Sequence, residues 1–156
     1  DIKFYKILKK NKPIIIKSCI LYLPFGLNYN FNTYNILLNF TDMKNIEQLE
    51  FYNLLKNIEE KNIKFLNCTK DEYKSCLIYN KNYAPNFLCK IRTKNKKPFV
   101  NINYNDKEKY NLCTIYDLPK KVYVKCDIEL GNIWNNQKKE TNKYGMTLYV
   151  KLINVL

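Results

Sequence analysis

The most regular feature of the chain is an alternation of apolar and polar residues in two segments near the C-terminus. In Lys121–Leu130, every second residue is Val, Cys, Ile or Leu, and the residues between them are Tyr, Lys, Asp and Glu. The same pattern recurs in Tyr144–Ile153. A period of two is the spacing of side chains on one face of a β-strand, so both segments predict strands with one buried face. The predicted connection between them is Gly131–Lys143, which contains Ile133-Trp134 and a polar run.

Shorter apolar segments predict further strands. Pro13–Leu23 is rich in β-branched residues and is followed by a turn at Pro24-Phe25-Gly26. Tyr34–Phe40 is the next predicted strand, and the two are expected to form a hairpin with a long, Asn-rich loop. The remaining strand candidates are Tyr73–Tyr79, Phe87–Arg92, Phe99–Tyr104 and Leu112–Tyr116.

One segment, Lys44–Phe65, predicts an amphipathic helix. Thr41 or Asp42 can cap this helix, and Asn45 with Gln48 resembles a capping box. Apolar residues recur at every third position with two more beside them, and the opposite, charged face is expected to be solvated. The predicted buried stripe is Ile46, Leu49, Phe51, Tyr52, Leu54, Leu55 and Ile58.

These elements together predict the fold class. Many short strands with one main helix are typical of a small antiparallel β-barrel or a sandwich, so the chain is predicted to be mainly β. At 156 residues, 46% of them hydrophobic, the sequence is long enough for a hydrophobic core and fits one domain over residues 1–156. It contains no internal repeat and no low-complexity linker.

Charge and aromatic content indicate which class of ligand the protein binds. The chain has 27 Lys and Arg against 14 Asp and Glu, a formal net charge of +13, together with 14 Tyr, 8 Phe and 1 Trp. Ammonium groups neutralise phosphates and rings stack on bases, so this combination favours nucleic-acid binding. Arg92 is the only arginine, which favours contact with a nucleic-acid backbone over base-specific reading. The competing explanation is an AT-rich gene, which would also encode many Lys, Asn, Ile and Tyr residues.

Several other chemistries are disfavoured. The chain has no His, which removes the usual general base and the commonest metal ligand. Its 6 Cys residues form no CxxC motif, so we predict free thiols in a reducing, intracellular compartment, and neither a metal nor a cofactor. No apolar run approaches the ~20 residues that a membrane span requires, so no membrane association is expected.

Two stretches taken together resemble a known protein family. The first is Leu23–Leu27 with the strand Tyr34–Phe40 and the helix after it; the second is Val122–Trp134, a polar loop and Gly145–Val150. Their order is similar to that of the single-stranded-DNA-binding proteins of large cytoplasmic DNA viruses, relatives of the T7-like phage binding proteins. The resemblance implies an OB-like antiparallel β-barrel with a packed helix. Such a protein is not an enzyme; it coats single strands in a sequence-nonspecific way during viral DNA replication, recombination or repair, in the host cytoplasm.

The resemblance also bears on partners. Proteins of such groups often end in an acidic tail that recruits polymerase and helicase, which makes replication proteins expected partners. This chain ends in the apolar Lys151–Leu156, so either a tail lies outside this sequence or that partner function is absent. Single-stranded DNA is the expected ligand and RNA is the alternative, because that choice depends on contacts with the 2′-hydroxyl.

Candidate binding residues lie on the two alternating strands and in basic clusters between strands. Tyr123 and Lys125 occupy polar strand positions, as do Tyr149 and Lys151, where a ring and a charge can meet neighbouring nucleotides. Trp134 is either a stacking platform or partly core. The predicted basic contacts are Arg92, Lys94, Lys96, Lys97, Lys120, Lys121, Lys138, Lys139 and Lys143. Nucleic-acid binding predicts that these clusters converge on one groove beside exposed rings.

Two other functions compete with this one. A structural or assembly protein of a virus or an AT-rich organism would be basic through composition alone, with its lysines scattered over the surface. A metal-dependent nuclease would need carboxylates to hold a metal, and Asp127 and Glu129, joined by Asp117, are the candidates. The same acids can instead balance lysines on neighbouring strands.

Overall fold

Strands are the main secondary structure of the protein. The computed structural model describes residues 2–9, 11–110 and 114–156, with the side chain of Tyr110 left out. The helices are α1 (Ile46–Leu66), α2 (Lys107–Tyr110) and a 3₁₀ helix at Ile115–Asp117. The strands are β1 (Ile2–Tyr5), β2 (Leu8–Lys9), β3 (Lys12–Pro13), β4 (Ile15–Lys17), β5 (Leu21–Leu23), β6 (Asn28–Asn30), β7 (Thr33–Asn39), β8 (Tyr73–Lys74), β9 (Leu77–Asn80), β10 (Tyr83–Ile91), β11 (Thr93–Lys94), β12 (Lys97–Pro98), β13 (Asn101–Tyr104), β14 (Val122–Asn136) and β15 (Tyr144–Val155).

Five of these strands close into a barrel. Around the ring the order is β14, β5, β7, β10, β15 and back to β14. Neighbours in the ring are antiparallel except β10 and β15, which meet in parallel where Lys90 pairs with Tyr149. The predicted mainly β, OB-like barrel with one main helix is therefore confirmed, and the parallel contact is the point of closure.

The two alternating segments form the long hairpin on which the barrel is built. β14 and β15 pair from Val124 with Val155 to Asn135 with Tyr144. The predicted alternation is confirmed over Val122–Ile128 of β14 and Met146–Val150 of β15; for example, Val124 is fully buried whereas Tyr123 is exposed. It is wrong at Glu129, which is buried, and at Leu152 and Ile153, where Ile153 is the buried residue because the pairing of β14 with β15 shifts register between Leu152 and Val150. The prediction that Gly131–Lys143 connects the strands is wrong as far as Asn136, since β14 continues to that residue. Pairing with β15 on one edge and with β1 on the other outweighs the polar composition of this segment.

The prediction of one continuous strand over Pro13–Leu23 is wrong. The segment divides into the end of β3, then β4 and β5, and both β4 and β5 pair with β14. The break lies at Ser18, whose hydroxyl accepts a hydrogen bond from the Cys126 N–H at 2.9 Å. The Ser18 N–H donates to the Cys126 carbonyl at 2.8 Å. A side-chain oxygen thus takes the place of a backbone acceptor and interrupts the ladder.

The barrel interior and one side of α1 share a hydrophobic core. Leu38 and Val150 are buried inside the barrel. Three rings join the helix to it: Phe40, Phe51 and Phe87 have centroids 5.8 to 6.1 Å apart. Aromatic pairs at such separations stabilise a core beyond the area that they bury.

Helix α1 begins at Asn45, and its buried face differs from the predicted stripe. The Asn45 side chain accepts from the Gln48 N–H at 3.1 Å, which confirms this half of the predicted capping box. The Gln48 side chain instead accepts from the Thr41 and Asp42 N–H groups, and since Asn45 is the cap, the prediction that Thr41 or Asp42 caps the helix is wrong. Ile46, Leu49 and Leu54 are exposed, which makes the predicted stripe wrong at those positions. The buried side chains of the helix are Gln48, Phe51, Leu55, Glu59 and Asn62. None of the described helices is both long and apolar enough to cross a bilayer.

The polar residues on the buried side of α1 are satisfied by hydrogen bonds. The Gln48 carbonyl accepts from the Thr41 N–H at 2.8 Å, and the Asn62 amide donates to the Tyr73 hydroxyl at 3.0 Å. A buried polar group with a partner escapes the desolvation penalty that an unpaired one incurs. Specific partners in neighbouring segments therefore determine which face of α1 is buried, and apolar spacing alone does not reveal them.

The predicted strand Leu112–Tyr116 is wrong where it can be compared. Leu112 lies outside the described residues, and Tyr116 belongs to the 3₁₀ helix. Asp117 caps this helix, because its carboxylate accepts from the Thr114 N–H at 3.2 Å and from the Thr114 hydroxyl at 3.0 Å. Such local side-chain bonds compete with a sheet ladder. The other predicted strands occur with shifted ends, as β8 with β9, β10 and β13.

Candidate nucleic-acid interface

A groove of about 770 Å³ crosses the outer face of β6, β7, β10 and β15; we call it the main groove. Its floor is apolar because alternate residues of β7 and β10 point out of the barrel there. Leu37 pairs with Leu88, and Met146 adds a third apolar side chain. The next pair along the same strands, Asn35 with Lys90, adds an amide and an ammonium group. Apolar atoms with a few polar groups are the usual lining of a ligand site.

Three aromatic side chains border the main groove: Phe25, Phe31 and Trp134. Phe25 is 55% exposed and Phe31 is 100% exposed. Trp134 is half-buried, and its ring lies directly against the backbone of Gly145, where a Cβ would be 2.2 Å from Cζ2. Its neighbour on the adjacent strand, Phe4, is also exposed. Trp134 therefore packs on β15 and also lines the groove, which confirms the partly buried role, and stacking on a base stays a prediction.

Two lysines, Lys74 and Lys90, line the main groove. Neither pairs with a carboxylate among the described residues. An ammonium group without a protein partner remains available to a phosphate, and several such groups make affinity dependent on salt.

A buried carboxylate of α1 fixes the loop that carries Lys74. Glu59 is buried and accepts from the Ser75 hydroxyl at 2.8 Å and from the Cys76 N–H at 2.7 Å. Burial raises the pKa of the Cys76 thiol far above its usual range, and the neighbouring Glu59 carboxylate raises it further. Cys76 therefore remains a neutral thiol at the edge of the groove, and Glu59 positions the backbone next to Lys74.

A smaller cavity of about 360 Å³ continues from the main groove; we call it the side cavity. Thr33 and Lys90 line both, so the two cavities adjoin, and we call them together the trough. Arg92 and Tyr149 line the side cavity, and the Arg92 guanidinium carbon lies 3.9 Å from the centroid of the Tyr149 ring. Arg92 also forms an ion pair with Glu129, whose side chain is 8% exposed against 48% for Arg92. One face of Tyr149 is thus covered by a guanidinium group that a buried acid holds in place.

The predicted cluster at Lys94, Lys96 and Lys97 lies next to the side cavity. These residues belong to the β11–β12 hairpin, which follows directly on Arg92. The Lys94 ammonium nitrogen lies 5.5 Å from the centroid of the Phe99 ring. The structure therefore places a cation and a ring together at this margin of the trough.

The other predicted lysine clusters lie at different margins. Lys120 is beside the turn that holds Phe25, since its Cγ would be 3.4 Å from a Cβ on Gly26. Lys121 follows it and is exposed. The loop beyond Trp134 contains Lys138 and Lys139, which are exposed, and Lys143, whose ammonium nitrogen lies 3.6 Å from the Glu72 carboxylate. None of these five lysines lines either cavity, so the predicted convergence of the basic clusters on one groove stays a prediction that the lining does not support.

The remaining predicted residues line neither cavity. The ring of Tyr123 packs on that of Tyr22, with centroids 5.4 Å apart. Lys125 pairs across the sheet with Asn154, and Lys151 is half-buried. Their participation in binding stays a prediction, and the trough gives it no support.

The residues that sequence reasoning missed are Phe25, Phe31, Lys74 and Lys90. Lys74 and Lys90 are single lysines on strands, and a search for clusters passes over them. Phe31 did leave a signal, because it is a large apolar residue inside an Asn-rich turn. A large apolar residue in a turn exposes surface that does not stabilise the fold, and such exposed apolar surface can indicate a binding site.

The acidic residues suggested for a nuclease have other partners. Glu129 pairs with Arg92, and the Asp117 carboxylate caps the 3₁₀ helix. A register shift in β14 falls directly after Asp127. Within residues 2–9, 11–110 and 114–156, no three His, Cys, Asp or Glu side chains are grouped so as to hold a metal ion.

Comparisons with known proteins support the fold. Neither a protein-family model nor a curated protein sequence matches the chain. Among solved structures, the barrel is similar to gp2.5, a single-stranded DNA binding protein encoded by bacteriophage T7. The two share 10% sequence identity and superpose with a TM-score of 0.59, covering 92% of this chain and 86% of gp2.5. At that identity the likeness is one of fold.

Proposed function

We propose that this protein binds single-stranded DNA without sequence preference and holds it in the trough formed by the main groove and the side cavity. One observation carries the proposal: exposed rings, unpaired lysines and an apolar floor line the same groove. The fold shared with a phage single-stranded-DNA-binding protein supports it. In this role the protein coats strands exposed during viral DNA replication, recombination or repair, as a binding protein without catalysis.

The binding mechanism follows from the lining of the trough. Unpaired bases stack on Trp134 and Phe25 and lie over the Leu37–Leu88 floor, at about 1–3 kcal/mol for each stacked base. Lys74 and Lys90 neutralise phosphates and release counterions.

Asparagine side chains account for the tolerance of sequence. Asn28, Asn30 and Asn35 line the same groove, and an amide both donates and accepts hydrogen bonds, so it can meet the edge of any base. The one arginine is held by Glu129, so bidentate pairing with guanine would compete with this ion pair.

Fluorescence anisotropy of labelled oligonucleotides tests the proposal. Single-stranded DNA, duplex DNA and single-stranded RNA of equal length are titrated between about 50 and 200 mM salt. We expect the tightest binding to single-stranded DNA and a fall in affinity with salt. Lys90→Ala is expected to weaken binding and to reduce the slope of log K against log salt by about 0.7, the contribution of one phosphate contact on a single strand.

Lys61→Ala provides a charge-matched control, because Lys61 is exposed on α1 and lines neither cavity. Equal affinity for single strands and duplex would refute the proposal and favour the structural or assembly role. Tighter binding to RNA than to DNA would assign the trough to RNA instead.

A further inference from the structure

Phe31 occupies an unusual backbone position. With Asn32 it forms the two-residue turn between β6 and β7, where Asn30 pairs with Thr33. The φ angles of Phe31 and Asn32 are 51° and 59°. Turns with two positive φ angles favour Asn-Gly or Asp-Gly, and a bulky residue there is strained. The turn type therefore does not explain the presence of Phe.

Packing does not explain it either. The Phe31 side chain is 100% exposed, so it adds nothing to the core. The hydrogen bonds at the turn involve other atoms: the Tyr29 hydroxyl donates to the Asn32 side chain at 3.3 Å, and the Thr33 hydroxyl donates to the Phe31 carbonyl at 3.4 Å. A strained residue without a structural contribution is a reason to look for a functional one.

The position of the turn suggests that function. Phe31 lines the main groove on the side of β7, whereas Trp134 lines it from β14. In the barrel β10 and β15 lie between those two strands, so the two rings border the groove from opposite sides. A base in the groove therefore lies between one ring on a projecting turn and another that is packed against Gly145.

We propose that Phe31 is a base-stacking residue and that its ring gives the trough its preference for single strands over duplex. This inference rests on the proposed function. Bases in a duplex are stacked on their own neighbours and present only their edges, whereas an unpaired base offers a free face to an aromatic ring. Lysines attract the phosphates of both forms, so they supply affinity without distinguishing between them.

Two substitutions distinguish the effect of the aromatic ring from the effect of the turn conformation. Phe31→Asn removes the ring and introduces a residue that tolerates positive φ. Phe31→Trp keeps an aromatic ring at the same place. Phe65→Asn is the matched control, since it removes an exposed ring from α1 that lines neither cavity.

The measurements are anisotropy titrations with single-stranded and duplex oligonucleotides, together with thermal unfolding. For Phe31→Asn we expect a loss of about 5- to 150-fold in affinity for single strands, the effect of removing one stacked base. Duplex affinity and the salt slope remain as in the wild type, and the melting temperature is unchanged or higher because strain is relieved. Phe31→Trp and Phe65→Asn retain the binding of the wild type.

Three results would overturn the inference. Single-strand affinity unchanged by Phe31→Asn would show that the ring does not stack on a base. An equal loss for single strands and duplex would show that the ring is not the source of the preference. If the wild-type protein itself does not prefer single strands, the proposed function fails and this inference fails with it.

Discussion

Trp134 and Gly145 provide a sharp test of how the groove is built, because the ring of one occupies the space that a side chain on the other would need. The two residues are cross-strand partners in the β14–β15 hairpin. A Cβ at position 145 would lie 2.2 Å from Trp134 Cζ2 and 2.5 Å from Cε2. Carbon atoms in contact are normally about 3.5–4.0 Å apart, so Gly145→Ala must displace the ring by more than ~1 Å.

The size of the effect follows from overpacking. A methyl group forced into a packed site destabilises a protein by about 1–3 kcal/mol, and we expect that loss for Gly145→Ala in the wild-type background. In a Trp134→Ala background the clash is gone, and Gly→Ala becomes neutral or stabilising by about 0.4–1 kcal/mol. The double-mutant cycle should therefore give a coupling free energy of about 1–4 kcal/mol, the difference between those two values.

Urea unfolding of the wild type, both single variants and the double variant measures this coupling. Trp134 is the only tryptophan of the chain, so its fluorescence in Gly145→Ala also reports whether the ring has moved. A displaced ring is expected to weaken the binding of single strands as well. If Gly145→Ala has the same effect on the free energy of unfolding with and without Trp134, the contact does not limit this position and the reasoning is wrong.

Other features yield further predictions. Arg92→Ala should lower the free energy of unfolding by about 2–4 kcal/mol, because it leaves the buried Glu129 carboxylate unpaired. Glu129→Ala should cost less, because the partly exposed guanidinium that remains can be solvated. Equal losses for the two variants in urea unfolding would contradict this reasoning. A hydrogen bond from the Thr69 backbone, with Lys143 nearby, lowers the pKa of Glu72, so its stabilising effect is present above the ordinary glutamate pKa of about 4.3 and is lost as pH falls through the lower, folded-state pKa. Glu72→Gln should therefore be less stable than wild type at pH 7 and equally stable in strong acid, as judged from urea midpoints at several pH values. Burial raises the pKa of Cys126 to about 12, so at pH 8 its thiol should react with a disulfide reagent after unfolding and not before; rapid labelling of the native protein would contradict its burial.

The fold could be predicted from the sequence where one physical cause dominates. The period of two in β14 and β15 reflects burial of one strand face, and the structure has the same alternation over Val122–Ile128 and Met146–Val150. The Asn45 cap was visible because a side chain that accepts from the first turn needs only a short sequence separation. Such signals are local, and local signals can be read without knowing what packs against them.

Where several causes compete, the prediction was wrong. The buried face of α1 includes Gln48, Glu59 and Asn62, whose partners come from other segments. The extension of β14 to Asn136 depends on pairing with β1, which is far away in the sequence. Hydrogen-bond partners that are distant in sequence leave no periodicity, and for that reason these features could not be predicted.

The candidate site likewise contains residues that could be predicted from the sequence and residues that could not. Trp134, Tyr149 and Arg92 were predicted from residue type, and all three line the trough. Lys90 was missed because its place in the trough depends on Asn35 and Tyr149, its partners on the two adjacent strands, which are distant in sequence. Clusters of lysine along the sequence indicate charge, whereas a binding surface needs charges that are close in space.

The ion pair between Arg92 and Glu129 has a consequence for how the protein could evolve. A variant that used the Arg92 guanidinium for base-specific contacts would first have to break this ion pair. That change would leave the Glu129 carboxylate buried and unpaired in the barrel wall. If the proposed function is correct, a gain of base-specific contact through Arg92 would therefore lower the free energy of unfolding, and the ion pair opposes the evolution of sequence preference at this position.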